Sequence, residues 1–231
     1  MSGRSMNATL KRREDLDKAV HALRSLGLRP HPDTYEKNWD LWLAIDFINT
    51  QVPKTAPILD AGARWSPILE RLESLGYTDL WACDLERSKR ETLLRLLRRS
   101  KIRFLRGDLT RTPFPDQAFA AVACVSVIEH GVKPEDYFRE MSRILKPGGY
   151  LITSTDYWCA PVDTRGIFPY GPAFGEMKVF DPDGIRQLVQ LAGRHRLQLT
   201  EPLTLECEEK VVHWKRVNRD YTFIFFVLQR Q

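Results

Sequence analysis

The 231-residue chain is 43% hydrophobic and 10% aromatic, which allows one well-buried α/β domain and excludes a chain that is disordered throughout. Its 35 basic and 30 acidic residues leave a formal charge of +5, too small by itself to demand a nucleic-acid partner. No stretch approaches about eighteen uncharged apolar residues and the amino end lacks an apolar signal region, so a cytoplasmic setting without a membrane is expected.

Residues 1–7 read as a frayed tail. Lys11 to Leu26 carries Leu16, Ala19, Val20, Leu23 and Leu26 on one helical stripe, with Gly27 as a stop. After the Arg29-Pro-His-Pro32 break, Asp33-x-x-Glu36 has the form of a capping box before a second helix bearing Trp39, Trp42, Leu43, Ile45, Phe47 and Ile48. These two helices are expected to form a cap over residues 1–52, lying across the carboxyl ends of a sheet. Tyr35, Trp39 and Trp42 read as core aromatics, with closure over the cofactor or acceptor as the alternative.

From residue 53 a second unit runs to 231. Its pattern predicts strand 58–61, helix 66–75, strand 79–84, helix 87–99, strand 102–107, strand 119–126, helix 134–145 and strand 150–156, a largely parallel arrangement. Lys146-Pro-Gly-Gly149 forms a turn. Residues 157–180, rich in Pro, Gly and aromatics, break the rhythm as a long loop of the kind that covers a binding site. Asp181 or Asp183 can cap a helix through Leu191, and strands near 197–205 and 221–228 can pair antiparallel.

Four cysteines, Cys83, Cys124, Cys159 and Cys207, stand far apart without a C-x-x-C pair, which argues against zinc and a disulfide framework. Cys83 and Cys124 fall in apolar runs, as small buried hydrophobes. The basic residues between Arg87 and Arg106 read as a solvated helix face, with RNA phosphates as the alternative partner.

The chemistry concentrates at strand ends. Ile58-Leu59-Asp60 runs into Gly62, and Leu80-Trp-Ala-Cys-Asp84 again closes on an acid, the layout of a nucleotide-binding βαβ unit in which a carboxylate accepts from a ribose diol. Downstream come Gly107-Asp-Leu109, Thr112 to Phe119, Val122-Ala-Cys-Val-Ser-Val-Ile-Glu-His130 and Arg143-Ile-Leu-Lys-Pro-Gly-Gly-Tyr-Leu-Ile152. In this order and spacing, residues 57–156 resemble the class I S-adenosylmethionine-dependent methyltransferases, especially their small-molecule branch. The resemblance implies a Rossmann-like, doubly wound α/β fold: a mostly parallel seven-stranded sheet with an antiparallel last strand and helices on both faces.

Carried onto this chain, the resemblance places Asp60 and Gly62 at the methionyl part of S-adenosylmethionine, whose product is S-adenosylhomocysteine. Asp84 and Leu85 would meet the ribose, Asp108 and Leu109 the adenine, and Ser126 and Ile128 the sulfonium side. Here the chain departs from the family's Gly-x-Gly-x-Gly: Gly62 is followed by Arg64 and Ser66. Arg64 would clamp the cofactor's carboxylate, point outward, or block the pocket. His130 is the first candidate base, because histidine titrates near neutrality, and Asp156 the second; His213 is weaker, and His21, His31 and His195 read as surface residues. The expected activity is methyl transfer to oxygen or nitrogen of a small molecule by a monomer or small homo-oligomer. The alternatives are RNA methylation and a non-catalytic, scaffolding role; a nicotinamide dehydrogenase would want G-x-G-x-x-G after the first strand, where this chain has Gly62-Ala-Arg-Trp-Ser-Pro.

Overall fold

Period-two alternation is what builds the sheet in the computed structural model, which describes residues 6–32, 34–86 and 100–231. Strands β1 (Ala8–Thr9), β2 (Ile58–Ala61), β3 (Leu80–Asp84), β4 (Arg103–Arg106), β5 (Phe119–Val125), β6 (Leu145–Tyr157), β7 (Leu197–Leu199), β8 (Val212–Trp214) and β9 (Arg219–Arg230) form it. The path runs β1-β9-β6-β5-β2-β3-β4, with β7 and β8 also on β9. Strands β2 to β6 pair in parallel, and β9 lies antiparallel against β6 from Tyr150↔Gln229 to Tyr157↔Thr222.

Helices α1 (Glu14–Ser25), α2 (Asn38–Gln51) and α3 (Ile68–Ser74) cover one face, and α4 (Pro134–Ile144) and α5 (Pro182–Arg194) the other. Neighbouring strand residues divide between the two cores. Ile58, Phe223, Phe225 and Val227 join the first, while Leu59, Ile224, Phe226 and Leu228 join the second. Cys83 and Cys124 are buried in the second core, where desolvation raises both thiols, Cys83 to about 12.

Several expectations need correction. Of the frayed tail expected over 1–7, residues 1–5 lie outside the described residues and the rest is docked: buried Asn7 donates to the Glu201 carbonyl at 2.6 Å and accepts from the Val227 N–H at 2.8 Å, which docks β1 along the otherwise open edge of β9. The second helix does not lie across the carboxyl ends. It runs down a sheet face, with Trp39 edge-on to Phe225 and Phe47 edge-on to Tyr150, so only its amino end reaches the strand tips. That helix begins at Asn38, later than the capping box implied; the Asn38 side chain accepts from the His31 N–H at 2.7 Å, and Asp33 lies outside the described residues.

The strand expected over 197–205 is limited to β7, which pairs antiparallel with β9 as expected, and β8 forms a further antiparallel pair with β9. Nine strands, rather than seven, are therefore present among the described residues. The turn 146–149 falls inside β6 as a register shift between Phe119 and Ala121. The helix expected over 87–99 lies outside the described residues. As expected, Asp181 caps α5 by accepting from the Gly184 N–H at 2.7 Å.

Candidate active site

Two clefts of about 440 and 420 Å³ open at the carboxyl ends of the parallel strands, the place where open α/β sheets bind ligands. They share Gly62, Trp65, Ser126, His130 and Tyr170. The partition follows from topology. The β2, β3 and β4 ends open on the first cleft, and the β5 and β6 ends with the start of α2 open on the second.

Asp84, Leu85, Asp108 and Leu109 line the first cleft together with Gly62, Arg64, Ser126 and His130. Asp84 Oδ2 accepts from the Arg64 backbone N–H and Oδ1 from that of Glu86, each at 3.1 Å, so one carboxylate shapes the turns after both β2 and β3. Asp108 Oδ1 accepts from the backbone N–H and hydroxyl of Thr110, each at 2.8 Å. Both acids hold turns and still face ligand space.

Gly62 sits at φ +87°, and a methyl group there would stand 2.4 Å from Val127 Cγ2. Asp60 and Ile128, in contrast, line neither of these clefts. Asp60 is buried within the strand between Ala82 and Ala123, and Ile128 packs into the second core. Arg64 lines the first cleft, and its buried Nε has no hydrogen-bond partner among the described residues. Its Nη1 pairs with Glu86 Oε2 at 2.6 Å and its guanidinium lies 5.0 Å from the Trp65 ring centre, on the lip.

The second cleft is acidic and partly buried. Asp40, Glu129 and Asp156 line it with Lys37, His130 and Tyr221. Glu129 accepts from Thr155 Oγ1 at 3.0 Å. Asp156, 2% exposed, is held well above the usual carboxylate range by desolvation and then by the Glu129 charge, against Lys37 and a hydrogen bond from Tyr221, with Asp40 adding a further negative charge. Burial and the same acids push the Tyr221 hydroxyl up in turn.

That shift carries a stability prediction. Asp156 keeps its proton to higher pH when folded than when unfolded, so folding loses stability as pH rises through the folded value. Asp156→Asn removes the loss and leaves an oxygen for Tyr221. Its melting temperature should therefore gain on wild type as pH rises above the ordinary carboxylate range, and a gap that stays flat in calorimetric scans would sink the assignment.

His130 borders both clefts. Its ring stands edge-on to Tyr170, with centroids 4.9 Å apart, and 6.1 Å from Trp214. Nδ1 has no hydrogen-bond partner among the described residues, and burial lowers the ring's pKa despite the nearby Glu129 charge. Ser126, four residues before it, takes the left-handed conformation at φ +57°. His31 and His213 prove to be walls of the second cleft, His213 pairing through Nδ1 with Asp220 at 2.6 Å, while His195 lies outside it and pairs with Glu135 at 2.8 Å.

The aromatic loop is fastened to this strand end by main chain. Lys178 N–H donates to Glu129 O at 2.9 Å, and His130 bridges Met177. A methyl group on Gly131, at φ +74°, would stand 2.7 Å from the Gly175 Cα and 2.6 Å from the Phe174 carbonyl. Gly131→Ala should thus cost on the order of 1–3 kcal/mol, or about 2–4 °C in melting temperature for each kcal/mol in a chain of this size; an unchanged melt would refute the close contact. The loop supplies Tyr170 and Phe174 to the first cleft's wall.

Sequence reading missed Lys37, Asp40 and Tyr221. The available signal was a carboxylate and an ammonium in the first turn of an otherwise apolar helix.

Comparisons with known proteins agree with this layout. A family model described as a methyltransferase domain matches residues 59–153. A ubiquinone/menaquinone biosynthesis C-methyltransferase of Azotobacter vinelandii is 30% identical over 104 residues, covering 43% of this chain and 41% of the relative. The chain thus spans less than half the length of the curated relatives it matches first. Among solved structures, a putative sarcosine dimethylglycine methyltransferase from Galdieria sulphuraria superposes with TM-score 0.65 at 15% identity, over 99% of this chain and 94% of that one. A Burkholderia thailandensis 1,6-didemethyltoxoflavin N1-methyltransferase, solved with its substrate and S-adenosylhomocysteine, gives 0.62 at 15% identity, over 95% and 87%. At such identities the structural likeness concerns the fold.

Proposed function

We propose that this chain is a class I S-adenosylmethionine-dependent methyltransferase and that it methylates an oxygen or nitrogen of a small molecule held in the second cleft. One observation carries the reading: the two clefts meet at Gly62, Ser126 and His130, so a base stands where an adenosine-binding site opens onto an acceptor chamber.

The donor set suits the cofactor. Asp84 and Asp108 can accept from ribose hydroxyls and the adenine amine, and Leu85 and Leu109 supply apolar walls. Bound there, S-adenosylmethionine supplies an electrophilic methyl group on a sulfonium. The protein's part is then mostly alignment, because in-line displacement gains more from proximity than from charge stabilisation. An acceptor that must lose a proton adds one demand. Neutral His130, with Nδ1 unengaged, can take that proton, while Asp156 and Tyr221 orient the acceptor's polar end.

A carbon acceptor is the second reading, favoured by the Azotobacter relative, a C-methyltransferase; an activated carbon needs the same base. RNA has less support. Of the basic run, Arg103 is engaged with Asp79 at 3.3 Å and stacks 4.6 Å from Trp81, and residues 87–99 lie outside the described part. Among the described residues no helix is long and apolar enough to cross a membrane.

The test is calorimetric titration with S-adenosylmethionine and S-adenosylhomocysteine, followed by an acceptor screen of amines, phenols, sugar derivatives and activated carbon acids. Product mass identifies the methylated compound. Binding with turnover on at least one small acceptor supports the proposal, whereas no binding to folded protein overturns it.

A further inference from the structure

The second cleft holds a charge pair that proton transfer does not use. Lys37 and Asp40 stand one turn apart at the start of α2, with Nζ 3.6 Å from Oδ2. Asp40 is 1% exposed. Its Oδ2 accepts from Ser154 Oγ at 2.9 Å and from Ser126 Oγ at 3.3 Å, but its buried Oδ1 has no hydrogen-bond partner among the described residues. A carboxylate oxygen buried without a donor is costly, so a donor is expected to arrive with a ligand.

Lys37 is placed as carefully. Its ammonium donates to Ser126 Oγ and lies 3.9 Å from the Phe223 ring centre, which fixes the charge at the chamber wall. Both residues line the second cleft beside Gly62 and Ser126, the residues shared with the first. A fixed cation and a fixed anion, side by side at the junction, complement an α-amino acid zwitterion.

Arg64, the sequence's own candidate for a carboxylate clamp, is paired with Glu86 and Trp65 in the wall of the first cleft. Resting on the cofactor reading above, we propose that Lys37 and Asp40 bind the amino-acid end of S-adenosylmethionine, Lys37 its carboxylate and Asp40 Oδ1 its ammonium. The start of α2 thereby takes over contacts that a glycine-rich turn would make with its own backbone. A free amino acid as acceptor would present the same zwitterion, so the test separates the two sources.

S-adenosylhomocysteine and methylthioadenosine share the adenosine and differ in the amino-acid end. Both are titrated, with no acceptor present, into wild type, Lys37→Met, Asp40→Asn and Asp84→Ala, after thermal melts establish that each is folded. Asp40→Asn preserves side-chain volume and an oxygen for Ser154. Lys37→Met and Asp40→Asn should each weaken S-adenosylhomocysteine by about tenfold or more and leave methylthioadenosine within about twofold of wild type. Asp84→Ala should weaken both.

Variants that bind S-adenosylhomocysteine like wild type overturn the proposal, including the case in which only an amino-acid acceptor's KM rises. Equal loss of both nucleosides from folded Lys37→Met and Asp40→Asn overturns it as well, because the helix start would then support the whole cleft. Failure of wild type to bind either nucleoside strikes the underlying cofactor reading instead.

Discussion

Replacing His130 with alanine is expected to lower kcat by about 100- to 10,000-fold on any acceptor that must lose a proton. S-adenosylhomocysteine should bind with nearly unchanged affinity, because the adenosine contacts assigned above come from other strand ends. The pH profile gives the sharper test. Burial lowers the pKa of His130, so the ring is neutral at physiological pH and loses competence only as pH falls through a value below that of an ordinary histidine. Wild-type kcat should carry an acid limb in that range, and the variant's residual rate should lack it. A variant that keeps both rate and limb would move the proton to Asp156 or to solvent.

The second large effect is expected at Asp84. Its two oxygens already accept from the Arg64 and Glu86 backbone, so alanine removes both a ribose partner and the brace between two turns. Charge-assisted hydrogen bonds are worth about 1.5–3 kcal/mol each, so losing a pair weakens S-adenosylhomocysteine by on the order of 100-fold or more. Asp84→Asn tests the division of labour. The amide keeps one acceptor for the turn but forfeits the charge, and it should fall between wild type and alanine in the same titration. Affinities within about threefold of wild type for both variants would remove Asp84 from the cofactor site.

The parallel half of the sheet was legible because it obeys local rules. Ile58 to Asp60 and Leu80 to Asp84 are short apolar runs closed by an acid, and the residues after each acid must turn. His130 and Asp156 were found because they follow strands whose ends had to converge, and the structure does bring them to one chamber.

What escaped notice depends on long-range partners. β1 is two residues long, and its anchor Asn7 bonds to Glu201 and Val227, about 200 positions away. β9 is apolar on both faces, so its alternation carries no visible code, although Phe225 and Phe226 enter different cores. Asp60 and Ile128 were assigned by adjacency to a motif, but in a strand or a tight turn adjacent residues face opposite ways. Lys37 and Asp40 lie in a helix that sequence pattern alone could place on either a face or an edge of the sheet; only α2's descent along the face brings its first turn to Ser126.

The contact between Gly131 and Gly175 has a consequence for how this protein can diversify. Main-chain atoms alone form that contact, so the fastening is indifferent to the side chains of the loop between Trp158 and Phe174. The loop is therefore an exchangeable cassette. Its aromatics can be traded for others to suit a new ligand while the two glycines keep the segment docked beside His130, so the cleft wall can change without rebuilding the strand end beneath it.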